Sequence, residues 1–253
     1  MKPISLQLYS VREHAKKDFI ATLQKVAGIG YVGVEPAGLH DHDPQEIRKV
    51  LDDLGMIASS AHVGLKLLED VNQVVETAQA LGYNNVVIPG AGGKESWSDP
   101  DHVIKVAQEC EAIAQTLKGH GLRVGYHNHA KEMIPIGDKY ALELFYENAP
   151  TIFPQIDIYW AANYGAVDVP AFVEKYKDRT PTLHIKDGTF VKDEPNLPAG
   201  QGRMDTLACV SAADQSVLEW LIVEFDLCQG DVMEAVAASY RYLVSSGLGQ
   251  GTK

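Results

Sequence analysis

Two hydrophobic rhythms alternate along this chain. Short apolar runs recur at 4–9, 31–35, 57–62, 85–89, 122–128, 153–158, 181–186 and 219–224. Most are apolar on both faces and rich in β-branched residues, the pattern of parallel strands that are covered on both sides. Between them, apolar residues fall three and four apart. Val103, Val106, Ala107, Cys110, Ile113, Ala114 and Leu117 predict a helix over 101–118, and Val71, Val74, Val75, Ala78 and Leu81 predict one over 69–81. Gly28, Gly30, Gly55, Gly82, Gly119 and Gly121 stand where such helices would end.

Eight strand–helix units in 253 residues predict one (β/α)₈ TIM barrel domain spanning 1–253. The competing doubly wound sheet would carry a Gly-rich phosphate turn after its first strand. Here that strand runs into Leu8-Tyr9-Ser10-Val11-Arg12 instead. The pattern is weakest at the sixth helix, near 169–177, and over 187–213. That last segment holds Pro195, Pro198 and Gly200-Gln201-Gly202 and reads as a long loop able to serve as a lid.

The formal charge of −12, with 22 basic residues against 34 acidic ones, argues against a nucleic-acid partner, since phosphate binding draws on clustered Lys and Arg. A small neutral substrate fits better. Cys110, Cys209 and Cys228 are widely spaced and form no Cys-x-x-Cys pair, as expected in a reducing compartment. No signal-like apolar stretch opens the chain, and no apolar run is long enough to span a membrane. The expected location is cytoplasmic, with no membrane partner. The oligomeric state is left open, a homo-oligomer included.

Four of the strand runs end in residue types that bind metals. His127, Asp157, His184 and Glu224 close strands five to eight, at the barrel face where active sites form. A lone histidine there is usually a hydrogen-bonding residue, and a lone Asp is usually a helix cap. Four in consecutive units point to one shared divalent cation, such as Mn²⁺, Mg²⁺, Co²⁺ or Zn²⁺.

The strings involved are Gly125-Tyr126-His127-Asn128-His129 with Glu132 shortly after, Asp157-Ile158-Tyr159-Trp160, His184-Ile185-Lys186-Asp187 and Val223-Glu224-Phe225-Asp226. Through them the chain resembles, over nearly its whole length, the xylose isomerase-like barrel superfamily, in particular its sugar phosphate isomerase/epimerase branch. The resemblance implies a carbohydrate substrate and a divalent metal held by Glu, Asp, His and Glu from strands five to eight. This chain departs at strand five, where His127 stands in place of the Glu. Either His127 ligates directly, or Glu132 folds back to supply the carboxylate while His127 and His129 face substrate. Charge balance favours Glu132.

Further candidates share the same rim. His129, Glu132 and Glu224 can act as bases. Lys186, two residues after His184, shares its inward face and can polarise a substrate oxygen. Asp226 can orient a ligand histidine. Glu35 and His62 are expected to meet substrate hydroxyls, and Tyr9 and Trp160 to wall a sugar ring. Arg12 and Arg203 are candidates for an anionic substituent. A divalent ion that chelates adjacent carbonyl and hydroxyl oxygens acidifies the α-proton. Returning that proton elsewhere isomerises or epimerises, whereas expelling a β-hydroxyl dehydrates. The leading expectation is a metal-dependent isomerase or epimerase of a monosaccharide or related polyol. A keto-sugar or keto-inositol dehydratase or lyase is the alternative, favoured by the His-rich strand five, which resembles the inosose dehydratase style. An apurinic-site endonuclease-like hydrolase fits the charge poorly, and a non-catalytic sugar-binding barrel is the remaining class.

Overall fold

The computed structural model describes residues 1–93 and 95–253. The strands are β1 (Lys2–Gln7), β2 (Gly33–Glu35), β3 (Ile57–Ala58), β4 (Ala61–His62), β5 (Asn85–Ile88), β6 (Arg123–His127), β7 (Pro135–Ile136), β8 (Lys139–Tyr140), β9 (Phe153–Asp157), β10 (Thr182–Ile185), β11 (Trp220–Val223) and β12 (Gly249–Gln250). They pair in the order β3-β2-β1-β11-β10-β9-β6-β5-β4, all in parallel. The ends of that path, β3 and β4, are the two halves of the third expected strand. Ser59-Ser60 carries the chain from the edge of β2 to the edge of β5, and this step closes the barrel. The Ser59 amide still bonds Val34 O at 2.9 Å, while Val63 N bonds Val87 O at 2.9 Å. β12 adds beside the start of β1, and β7 and β8 form a small hairpin outside the barrel.

Alternation along the strands sorts the side chains. Ile4, Leu6, Val34, Ile156, Leu183, Leu221 and Val223 belong to one apolar cluster with the helices, including Val103, Ala107, Cys110, Ala114 and Leu117 of helix Pro100–Lys118. The opposite strand face is polar in its upper part. Ser5 meets Ser59 at 2.8 Å, and Gln7 donates to Glu35 at 2.7 Å. Lower down, a Cβ on Gly33 would strike the Trp220 ring and one on Gly125 the Phe153 ring, so both glycines make room for aromatic filling.

Part of the acidic surplus is spent on helix starts. Asp18, Asp43, Asp70, Asp99, Asp168, Asp205 and Asp231 each accept a first-turn amide. The expected structureless loop at 187–213 is corrected by the fold. It contains helix Thr206–Ala212, and its first half is pinned. The Asp187 carboxylate accepts the amides of Gly188, Gly200, Gly202 and Met204 at 2.8–3.0 Å. Asn196 in turn accepts the Asp226 amide at 2.9 Å. A segment held this way is a fixed wall of the barrel mouth, not a free lid. Among the described residues, no helix is long and apolar enough to cross a membrane.

Candidate metal centre

His127 ends β6, Asp157 ends β9, His184 lies in β10 and Glu224 directly follows β11. The parallel register sets His184 beside Asp157. Ligand atoms of His127, Asp157, His184 and Glu224 all lie within 4.8 Å of one another, and all four residues are buried. His62 forms a second such group with His127 and His184. Its ring stacks on His184 at 5.3 Å, nearly parallel at 5°, and lies 5.0 Å from His127.

The chemistry of this donor set fits a divalent cation. His127 Nδ1 is buried with no hydrogen-bond partner. Asp157 Oδ2 also lacks one and meets only the Lys186 ammonium, an ion pair at 2.9 Å. Buried polar atoms are seldom left orphaned unless another group is meant to meet them. His184 is held at both nitrogens, with Nε2 2.7 Å from Glu35 Oε2 and Nδ1 2.9 Å from Glu224 Oε2. A neutral His184 that keeps its Nε2 proton on Glu35 would turn the Nδ1 lone pair toward Glu224 and the cluster. That is the carboxylate–histidine pairing that fixes metal-binding imidazoles.

The cluster's own charges balance through Lys186. Its ammonium lies 2.9 Å from Asp157, 3.0 Å from Glu224 and 2.6 Å from Asp226. Burial opposes its charge, but the Asp157, Asp226 and Glu224 carboxylates outweigh burial and raise its pKa well above the ordinary range. Burial also works against a charged His184, yet Glu35 and Glu224 lift it to about 10. In Asp157 burial dominates, with Glu224 adding to it, and the pKa rises to about 6 despite Lys186. His127 moves the other way, well below 6.5, because it is buried and faces His184.

Several sequence-derived expectations land elsewhere. Glu132 is fully buried and stands outside the donor set. The Tyr126 hydroxyl donates to its Oε1 at 2.9 Å, and the His129 amide to its Oε2 at 2.9 Å. It caps the short 3₁₀ turn Ala130–Met133, so at strand five the geometry brings His127 into the cluster and not Glu132, toward which the sequence reading leaned. Glu35, expected at the rim, has no exposed surface. It is buried beneath the cluster, where Gln7, Ser60, Gln155 and His184 all donate to it. His62 donates to Gln155 at 2.7 Å and is likewise bound up in this layer. Arg12 covers the Tyr9 ring at 4.1 Å and donates to the backbone oxygens of Tyr9 and Asp226, so it braces the rim. Tyr9 thereby has one ring face occupied. Arg203 is exposed and lies over Phe190.

The open side of the site belongs to His129, Ala130, Lys131, Trp160 and Tyr164, which line a cavity of about 320 Å³. Trp160 is fixed by an indole N–H···Oδ2 bond to Asp226 at 2.9 Å and carries the Lys186 ammonium 5.3 Å from its ring. Burial and the nearby Lys186 lower the His129 pKa to about 4, so its ring is neutral at pH 7. A larger cavity of about 490 Å³, between the loop after β2 and helix Val71–Leu81, touches the cluster only through His62.

The Xylose isomerase-like TIM barrel family model matches residues 23–243. The chain belongs to this family. Among solved structures, a sugar phosphate isomerase/epimerase from Parabacteroides distasonis aligns with a TM-score of 0.83 at 21% identity, over 99% of this chain and 100% of that one. The IOLI protein with a binding zinc atom aligns with a TM-score of 0.70 at 16% identity, over 97% of each chain. At these identities the likeness is one of fold. A curated relative, inosose dehydratase from Geobacillus kaustophilus, is 22% identical over 69% of this chain, and the match spans 63% of that relative's length.

Sequence reading missed three residues at this cluster and its cavity. Asn128 accepts the Asp157 amide at 3.0 Å and donates to the Asp157 carbonyl at 3.3 Å, so its side chain acts as a backbone rung that fixes Asp157. Gln155 ties His62, Glu35 and Thr182 together. Its place two residues before Asp157, on the same strand face, was the available signal. Tyr164 had no signal.

Proposed function

We propose that this protein is a divalent-cation-dependent isomerase or epimerase of a monosaccharide or related polyol. The observation that carries this reading is the convergence of His127, Asp157, His184 and Glu224 within 4.8 Å, beside the cavity lined by His129 and Trp160. These four residues would hold the cation, which supplies Lewis acidity toward adjacent carbonyl and hydroxyl oxygens when bound. The rest of the work falls to the chain. His129 is neutral at pH 7 and lines the cavity, so it can take the α-proton of a hydroxy ketone. Lys186, cationic and buried, stabilises negative charge as it grows on the substrate oxygen. Trp160, locked by Asp226, offers the sugar a flat wall. Return of the proton to the other face gives an epimer, and return to the neighbouring carbon gives an isomer.

A second reading, dehydration of a keto-sugar or keto-cyclitol, is favoured by His127 in the donor set and by the inosose dehydratase relative. One experiment addresses both. Ketoses, keto-inositols and 3-keto-glycosides are incubated with the protein and Mn²⁺ in D₂O and followed by NMR. Deuterium uptake beside the carbonyl, with epimer or isomer as product, supports the first reading, and an unsaturated product supports the second. No uptake on any keto sugar, with nicking of abasic DNA instead, would end both.

A further inference from the structure

Tyr164 stands on strained backbone at the rim of the His129 cavity. Asn163, Tyr164 and Gly165 are consecutive and all left-handed, with φ of 43°, 58° and 90°. Glycine takes this conformation freely, but a side chain with a Cβ does so at a cost in stability. The turn is nonetheless fixed. Gly165 N bonds Ala162 O at 2.9 Å, Val167 N bonds the same oxygen at 3.2 Å, and Ala166 N bonds Asn163 O at 3.2 Å. Residues held against their preference by surrounding bonds gather at ligand clamps and active sites. The fold need not place an aromatic here, since glycine would make the same turn with less strain.

This turn delivers an aromatic ring that stays partly exposed at the cavity rim. Tyr164 is 38% exposed. Its ring stands perpendicular to Trp160, at 82° and 6.4 Å between centroids, and the two bound the cavity together with His129. Trp160 cannot turn away, because Asp226 holds its indole N–H. Two aromatic planes at right angles form a corner. Such a corner suits a compact body with an apolar face, such as the C–H face of a closed sugar or cyclitol ring. An open-chain polyol presents no continuous face of that kind.

We propose that Tyr164 and Trp160 form a seat for carbohydrates that keep a closed ring beside a free ketone, cyclitols and keto-glycosides, and that Tyr164 selects these over open-chain ones. This rests on the carbohydrate reading of the same site, and the test separates the two. Methyl β-D-glucopyranoside and sorbitol have no carbonyl and cannot react, so their binding to the full chain with Mn²⁺ can be titrated by NMR. The wild type binds the glucoside. Tyr164→Ala weakens that binding about tenfold and Tyr164→Phe retains it, while sorbitol binding is the same in all three. Tyr164→Gly loses glucoside binding likewise but melts about 2–4 °C higher, the mark of backbone strain kept for binding. The proposal is overturned if the wild type does not bind the glucoside, if Tyr164→Ala binds it as tightly as the wild type, or if both polyols weaken alike. A lower melting temperature for Tyr164→Gly would also overturn it, by making Tyr164 a structural residue. Glucoside binding through Tyr164 without proton exchange on any keto sugar would keep the seat and remove the isomerase reading.

Discussion

The Nε2 nitrogen of His184 lies 2.7 Å from Oε2 of Glu35, across 149 positions of sequence. The bond links β10 to the end of β2 on the far side of the barrel, and it settles which way the imidazole faces. Burial pushes the Glu35 carboxyl up, but His62 and His184 outweigh it and hold the pKa near 2, so Glu35 stays an acceptor at any working pH. An ionised acceptor there keeps the Nε2 proton in place, so the proton that a bound cation would displace is the one on Nδ1, which faces Glu224 at 2.9 Å. Glu35→Gln keeps the volume and removes the charge. Its affinity for Mn²⁺, measured by calorimetry, is expected to fall about 10- to 100-fold. An unchanged affinity would mean that Glu35 serves only the packing of the barrel interior.

How far this site was legible in the sequence depends on the range of each interaction. The eight strand positions could be read because burial on both faces leaves a local apolar pattern, and Asp157, His184 and Glu224 could be read because strand ends are local too. Glu35 was read as a substrate contact because it ends a strand at the rim. Its partners Gln155 and His184 lie 120 and 149 residues away, and no spacing reveals them. Glu132 was drawn toward the metal by charge balance, whereas its actual partners, Tyr126 and the His129 amide, are close in sequence but joined by a 3₁₀ turn that periodicity does not show. The 187–213 segment looked structureless because the order of its first part comes from one carboxylate, Asp187, collecting distant amides. The strain at Tyr164 lies in the backbone, where residue identity offers no hint.

The strand-five assignment can be tested directly. His127→Ala removes one donor from the set and is expected to lower Mn²⁺ affinity by at least tenfold. Glu132→Gln leaves the set complete and should bind Mn²⁺ as the wild type does. Titration of both variants by calorimetry checks this, and reversed affinities would return Glu132 to the ligand set.

The buried Glu132 also makes a pH prediction. Burial raises its pKa from 4.5 to about 7 against the opposing pull of Lys131. For an acid with a raised folded pKa, the folded state holds the proton more tightly than the unfolded chain. Its contribution to stability is therefore greatest below about pH 4.5, declines as pH rises toward about 7, and is lost above that. The full span is on the order of 3 kcal/mol. Glu132→Gln cannot titrate, so its melting temperature relative to wild type should rise between pH 5 and pH 8. Parallel pH profiles for the two proteins would show that the carboxyl is not ionising within the fold.

Lys186 gives the strongest test of how the cluster balances its charge. Its ammonium lies within 3.0 Å of Asp157, Glu224 and Asp226, and the lysine is buried. Lys186→Met keeps the length and apolar stem of the side chain but leaves those carboxylates without their ammonium. Removing one partner of a buried ion pair typically costs about 3–5 kcal/mol. In a chain of this size, that corresponds to a melting temperature roughly 6–20 °C lower in chelator. If Asp157 and Glu224 also hold a divalent ion, Mn²⁺ can replace part of the lost positive charge. The stabilisation by saturating Mn²⁺ should therefore be larger in Lys186→Met than in the wild type, because binding to the folded state adds directly to stability. Differential scanning calorimetry with chelator and with Mn²⁺ provides the four values required. A variant as stable in chelator as the wild type would mean that the carboxylates share a proton in place of the ammonium. A variant that Mn²⁺ does not rescue would remove Asp157 and Glu224 from the cation site.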